Sequence, residues 1–200
     1  HGVEVLRAVS FLVRDENWGT YAATLRNLSI EQDEQYFKIS YAATCSRADQ
    51  SIDYEASIEG RADGSLTFRG KAIPRTDFLT ARTGFVVLHP LTGVVGQALK
   101  VEHVDGTVTQ SEFPQQVNPD CPFRDVRALS HQVFPGVWAR CEMLGDAFEM
   151  EDHRNWTDAS FKTYVRPLAR PWPYVLPAGV AVEQSVKLAI SGQLTKAKTP

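Results

Sequence analysis

Apolar and polar residues alternate with a period of two through most of this chain, and no other feature constrains its fold as much. Successive side chains of a strand point to opposite faces, so the alternation marks sheet with one face buried. Val3, Val5, Val9, Phe11 and Val13 share one parity. Phe37, Ile39 and Tyr41 alternate with Lys38 and Ser40, and Ile52, Tyr54, Ala56 and Ile58 with Asp53, Glu55, Ser57 and Glu59. Ala62-Asp63-Gly64 turns the chain before Leu66 and Phe68 resume the pattern, a hairpin signature. Residues 85–88 form a short apolar run suited to a buried strand. Residues 100–104 and 107–109 flank Asp105-Gly106, which predicts a hairpin closed by a type I′ turn. Val137, Ala139, Cys141 and Met143 alternate again, followed by strands at 148–150 and 161–165. Val180, Val182, Val186, Leu188 and Ile190 mark the last strand.

Helical periodicity is nearly absent; residues 124–131 alone suit a turn or two of helix. Prolines cluster at 114–122 and 167–177, where they mark loops or sheet edges. Ten or more strands, each buried on one side, imply two stacked antiparallel layers. The expected fold class is all-β: a large antiparallel β-sandwich with little helix, of which a mutarotase-like supersandwich is one form.

The 200 residues suffice for one such domain, and 43% hydrophobic with 22% charged residues is ordinary for it. We expect the sandwich over residues 1–191 and a tail or linker towards a further domain over 192–200. The start, His1-Gly2-Val3-Glu4, has neither an initiator Met nor a leader pattern, so residues are expected upstream. A net charge of -3 without a basic block argues against nucleic acid, and no apolar run approaches the ~20 residues of a membrane helix. Cys45, Cys121 and Cys141 are odd in number and widely spaced, matching neither a disulfide framework nor a zinc site. They are expected as free thiols in a reducing cytoplasm. The sequons at Asn27 and Asn155 are expected to be chance matches.

One stretch carries unusual chemistry. Residues 149–162 read Glu-Met-Glu-Asp-His-Arg-Asn-Trp-Thr-Asp-Ala-Ser-Phe-Lys, setting acids, bases, an amide and an indole between two strands. Such a mix suits a sugar-like ligand: carboxylates and Asn meet hydroxyls, Arg and Lys grip a carboxylate, and Trp stacks on a ring. A structural reading stands beside this one, with Arg154 pairing Asp152 or Asp158 to brace a long connection and Trp156 plugging the core. Glu149, Glu151, Asp152 and Asp158 are conceivable acid/base pairs whose separation the sequence does not fix. His89, beside Pro90, is a candidate general base or a satisfied structural histidine, and His103 and His131 have weaker claims. His153 adjoins two acids but lacks a third metal ligand, so neither metal nor cofactor is expected. No Gly-x-Ser-x-Gly elbow or phosphate loop occurs. Arg170-Pro171-Trp172-Pro173-Tyr174 reads as an edge lid or a domain contact.

Several strings resemble one bacterial sugar-acid family. They are Glu4-Val5-Leu6-Arg7, Val13-Arg14-Asp15, Trp18-Gly19-Thr20, Arg82-Thr83-Gly84-Phe85, His89-Pro90, Cys121-Pro122-Phe123 and the run 151–164, with Arg-Asn-Trp-Thr-Asp-Ala-Ser its most specific part. The chain is similar over most of its length to the D-apionate lactonases. The resemblance implies a hydrolase that opens a branched-sugar lactone to its acid, within a larger protein whose β-rich N-terminal domain precedes a barrel. A sugar lactone or sugar acid and the downstream domain are the implied partners. It supplies no catalytic residues. His89, Glu151 and Asp152 stay as candidate bases, and Arg82, Arg154, Asn155, Trp156, Asp158 and Lys162 as candidate substrate-binding residues. Two alternatives remain open: a non-catalytic carbohydrate-binding or docking module, and a mutarotase-like sandwich using His89 with Glu151.

Overall fold

The computed structural model describes residues 2–192; the expected tail lies outside the described residues, apart from Gly192. Fifteen strands carry the fold: β1 (Ala8–Val13), β2 (Thr24–Gln32), β3 (Tyr36–Arg47), β4 (Gln50–Arg61), β5 (Leu66–Pro74), β6 (Phe78–Thr80), β7 (Thr83–Pro90) and β8 (Ala98–His103), then β9 (Val108–Glu112), β10 (Phe123–Phe134), β11 (Val137–Leu144), β12 (Phe148–Asp152), β13 (Ser160–Val165), β14 (Tyr174–Leu176) and β15 (Val182–Gly192). A single 3-10 turn, His153–Trp156, is the one helical element among the described residues. Most of these strands follow from alternation or short apolar runs, but β2, β6, β10 and β14 do not. β6 and β14 are three residues each, too short to show a period, and β2 is exposed along its whole length. Val3, Val5 and Val180 keep the parity but lie outside strands.

Thirteen strands form one hydrogen-bonded sheet, with the path β1-β7-β13-β12-β10-β11-β15-β5-β4-β3-β2 and with β8 and β9 branching from β10. The two layers of the sandwich are continuous through β10. Val126 faces Phe148 of β12 on one edge and His103 of β8 on the other. From Ala128 onward the β12 edge passes to β11, opposite β8. One edge of β10 thus serves two partners in succession, and the sheet divides there.

Residues 124–131, expected as a helical turn, lie inside β10. Val126, Ala128, Leu129, Ser130 and His131 are all buried, because β10 is covered on both faces where the layers part. That removes the alternation of a one-sided strand and leaves a run without a clear period.

The β8–β9 turn also differs from expectation. Gly106 alone has positive φ (86°), and its N–H donates to the His103 carbonyl (3.1 Å). This is a type I turn closed by a glycine bulge, the three-residue alternative to type I′. Asp105 favours it by accepting the Thr107 N–H (2.9 Å) and hydroxyl (2.7 Å).

Phe11 of β1 packs between the layers, 4.9 Å from the Tyr54 ring and 5.2 Å from Phe85. Gln184 of β15 ties the layers with polar bonds, accepting from the Phe85 N–H (2.9 Å) and donating to the Thr83 carbonyl (3.3 Å). Gly70 makes the close approach possible: a Cβ there would stand 2.6 Å from the Phe11 ring. We expect Gly70→Ala to cost about 1–3 kcal/mol through overpacking. Urea unfolding of the variant would show it as a lower midpoint at unchanged slope.

Candidate functional site

Strand register sorts the candidate residues before any distance is measured. Directly opposed residues in a ladder share a face. Glu151 faces Lys162, which faces Leu88, and Glu149 faces Tyr164, which faces Val86. Asp152 faces Phe161, which faces His89. Glu151 and Lys162 therefore lie on the outer face of the β12-β13-β7 layer, while Asp152 and His89 lie on its inner face.

The inner-face groups are engaged within the chain. His89 is 2% exposed, bonds the Thr163 hydroxyl through Nε2 (2.8 Å) and packs against Phe113. Burial pushes its pKa down to about 3, helped by His131. It is a satisfied core histidine, sealed from solvent, and not a placed general base.

Asp152 is fully buried. Arg154 meets it in a fork, with Nε on Oδ1 (2.9 Å) and Nη2 on Oδ2 (2.7 Å), and the Asn118 N–H donates to Oδ2 (2.9 Å). The same guanidinium donates to the carbonyls of Pro114 (2.9 Å), Gln115 (3.1 Å) and Gln116 (3.1 Å). The Asn155 amide donates to the carbonyls of Asn118 (2.5 Å) and Asp152 (3.1 Å). Asp152, Arg154 and Asn155 therefore clamp the proline-rich loop 114–118 to the end of β12. Burial alone pushes the Asp152 carboxyl up, but the Arg154 guanidinium and two backbone N–H groups outweigh it and hold the pKa below the usual range.

Arg82, Trp156, Lys162 and Glu151 gather on the outer face. Lys162 Nζ lies 3.0 Å from Glu151 Oε2, and the Trp156 indole donates to Glu151 Oε1 (2.6 Å). Trp156 is otherwise exposed and plugs no core. His153 stands between Glu151 (3.6 Å) and Asp158 (3.2 Å), so Asp158 joins only through that imidazole. Burial lowers the Lys162 pKa, with Arg82 and Arg14 adding to the effect against the pull of Glu151. Burial pushes Glu151 the other way, but Lys162 and Trp156 hold it below its ordinary value. Glu151 is thus an ionised hydrogen-bond acceptor, poorly suited as a base near neutral pH.

Arg82 is the outlier of the group. It is 7% exposed, its Nε has no hydrogen-bond partner, and no carboxylate among the described residues lies within 4.0 Å. It is held by ring faces, 3.7 Å from the Tyr164 centroid and 4.9 Å from Trp18. Desolvation lowers its pKa against the opposing pull of the adjacent Tyr164 and of Glu151 and Glu149. A buried guanidinium with open donors is costly, and anion-binding sites are built from such groups.

Sequence reasoning read residues 170–174 as an edge lid or domain contact but did not connect them, or Trp18, with Arg82. Asp15 folds residues 15–19 into a tight turn by accepting the N–H groups of Asn17 (2.9 Å) and Gly19 (2.6 Å). That sets Trp18 at φ 68°, a left-handed conformation costly for a bulky residue, with its ring over Arg82. The segment 166–174 straps across the same face: the Leu168 N–H and Tyr164 hydroxyl both donate to Glu149 (2.7 Å each). Trp172 of the strap meets Trp18 edge-on at 5.1 Å. The Asp15-x-Asn17-Trp18-Gly19 pattern was the available signal, an Asx-type turn placing an indole.

A groove of about 590 Å³ lies elsewhere, on the outer face of β3, β4, β5 and β15. Its side chains are those of a solvated sheet, such as Lys71 paired with Glu183 at 2.8 Å. It offers no buried, unpaired charge, so we place the candidate site at Arg82. Among the described residues no group of three His, Cys, Asp or Glu is placed to hold a metal ion.

The profile of the D-apionate lactonase N-terminal domain matches residues 1–193. The chain belongs to that family. It is 49% identical over 191 residues to the D-apionate lactonase of Brucella anthropi, covering 95% of this chain and 31% of that relative's length. The chain thus spans about a third of the curated relative. Among solved structures, the fold resembles galactose 1-epimerase from Lactobacillus acidophilus, with a TM-score of 0.54 at 8% identity over 85% of this chain and 66% of the other. An α-galactosidase from Lactobacillus brevis gives a TM-score of 0.50 at 11% identity, over 91% of this chain and 29% of the other. These likenesses establish the mutarotase-like β-sandwich and nothing about chemistry. The lactonase-family domain does not pair His89 with Glu151 across a cleft as a sugar-ring isomerase reading required, because register sets them on opposite faces.

Proposed function

We propose that this chain is the N-terminal β-sandwich of a bacterial, cytoplasmic carbohydrate-lactone hydrolase, and that its Arg82 cluster binds the sugar lactone or the sugar acid formed from it. In the reaction a water oxygen adds to the acyl carbon, the bond from that carbon to the ring oxygen breaks, and the water proton passes to the departing oxygen. The product is a hydroxy acid. Arg82 and Lys162 suit the carbonyl and the carboxylate, Glu151 accepts from hydroxyls, and the exposed Trp156 offers a flat apolar surface to the sugar. We assign binding and orientation to this cluster, and proton transfer to groups supplied by a further domain of the same polypeptide. The free Cys45, Cys121 and Cys141 support a reducing compartment.

The observation that carries the proposal is the buried, counter-ion-free Arg82 in a chain of the lactonase family. The longer polypeptide should hydrolyse branched aldonolactones. Lys162→Met should raise KM about 10-fold or more while leaving the folded fraction unchanged, since a hydrogen bond to a charged group contributes about 1.5–3 kcal/mol. Hydrolysis with an unaltered KM in that variant would remove the cluster from the binding site.

A further inference from the structure

The inner face of the second layer is longer than the layer that covers it. One cross-strand row runs Val186, Phe68, Ile58, Ile39, Ile30 across β15, β5, β4, β3 and β2. It begins fully buried at Val186 and ends at Ile30, 62% exposed. A second row runs Ala72, Tyr54, Ala43, Leu25, from 0% exposed at Ala72 to 59% at Leu25. Cover runs out because β1 is the last strand of the opposing layer. Beside β1 the rows open into an apolar groove of about 330 Å³ lined by Val9, Phe11, Tyr41, Ile58 and Phe68. Residues patterned for a core thus stand in the open on a nine-residue edge strand without proline, an arrangement that invites association.

We propose that this shelf is the seat of the rest of the polypeptide, and that it docks the domain beyond the sandwich through an apolar surface. The inference rests on reading the chain as one part of a lactonase. The curated relative supplies the occupant: this chain accounts for 31% of its length, leaving more than a domain's worth of polypeptide to cover the shelf. Extending a row that is already core is the most economical way to join two domains, since the pattern and the packing partners exist up to Ile39.

Thiol labelling tests the docking directly. Ile30→Cys is made both in the 200-residue chain and in the longer polypeptide that carries it, and maleimide labelling rates are compared. Background is low: burial pushes the Cys45 thiol up to about 11 and Cys141 up to about 12, and the parent proteins report on Cys121. The introduced thiol should label at least ten-fold more slowly in the longer polypeptide, at any protein concentration. Equal rates overturn the proposal. Protection that fades on dilution also overturns it, assigning the shelf to a second copy. Lactone hydrolysis measured on the same samples reports separately on the proposed activity, so loss of one result leaves the other standing.

Discussion

Arg154→Ala should be the most destabilising single change in the polar run, lowering unfolding free energy by about 3–5 kcal/mol. The magnitude follows from what the change strands. Asp152 is fully buried, and its carboxylate would keep only backbone donors. The carbonyls of Pro114, Gln115 and Gln116 would lose their common donor at once, releasing the loop from β12. Arg154→Lys should recover little, because one ammonium cannot reproduce a fork together with three carbonyl contacts. The pH dependence carries a sign. The folded-state pKa of Asp152 lies below its unfolded value of ~3.9, so the pair contributes fully above about pH 4 and fades as pH falls through the folded value. The gap between the protein and Asp152→Asn should therefore be widest near neutral pH and close in acid. Denaturant titrations at about pH 7 and about pH 3 would show this; a constant gap would mean that the carboxylate charge contributes nothing.

Arg82→Met should behave in the opposite way. The guanidinium pays a desolvation cost with no ion pair to offset it, and its ring contacts return on the order of 2 kcal/mol. Methionine keeps much of the apolar stem between Trp18 and Tyr164 and removes the buried charge, so stability should hold or rise slightly. Binding of a sugar acid should fall about 10–100-fold, the loss of a charge-assisted bond of about 1.5–3 kcal/mol. Calorimetric unfolding and ligand titration on one preparation separate the two effects. A variant that loses stability and keeps its affinity would make Arg82 a structural residue. The two arginines thus carry opposite expectations: Arg154 braces the loop 114–118 against β12, and Arg82 is the group to which we assign the ligand.

The sequence announces the sheet because one-sided burial writes itself as alternation. It hides β10 because a strand covered on both faces has no alternation to read. The site was legible as composition and not as geometry. Asp152 and Glu151 are neighbours in the chain, yet the pleat sends one carboxylate into the core and the other to the outer face. His89 and Lys162, far apart in the chain, lie on adjacent strands but on opposite faces. Parity counted within each strand was available from the start; pairing across strands, which brings Arg82 from β7's leading edge to Tyr164 and Trp18, was not. Trp18 and Trp172 meet across most of the length of the chain, and no local pattern encodes that contact.

The chain's four tryptophans provide the most direct test of the Arg82 cluster as a ligand site. Trp18, Trp156 and Trp172 lie around that face, while Trp138 sits on β11 in the other layer. Indole N–H resonances of the labelled protein can be followed during titration with a branched aldonate. The Trp156 signal should shift most, Trp18 and Trp172 should follow, and Trp138 should stay in place; in Arg82→Met the shifts should need about 10–100-fold more ligand. Shifts confined to Trp138, or a spectrum unmoved by saturating aldonate and aldonolactone, would contradict a ligand site at Arg82.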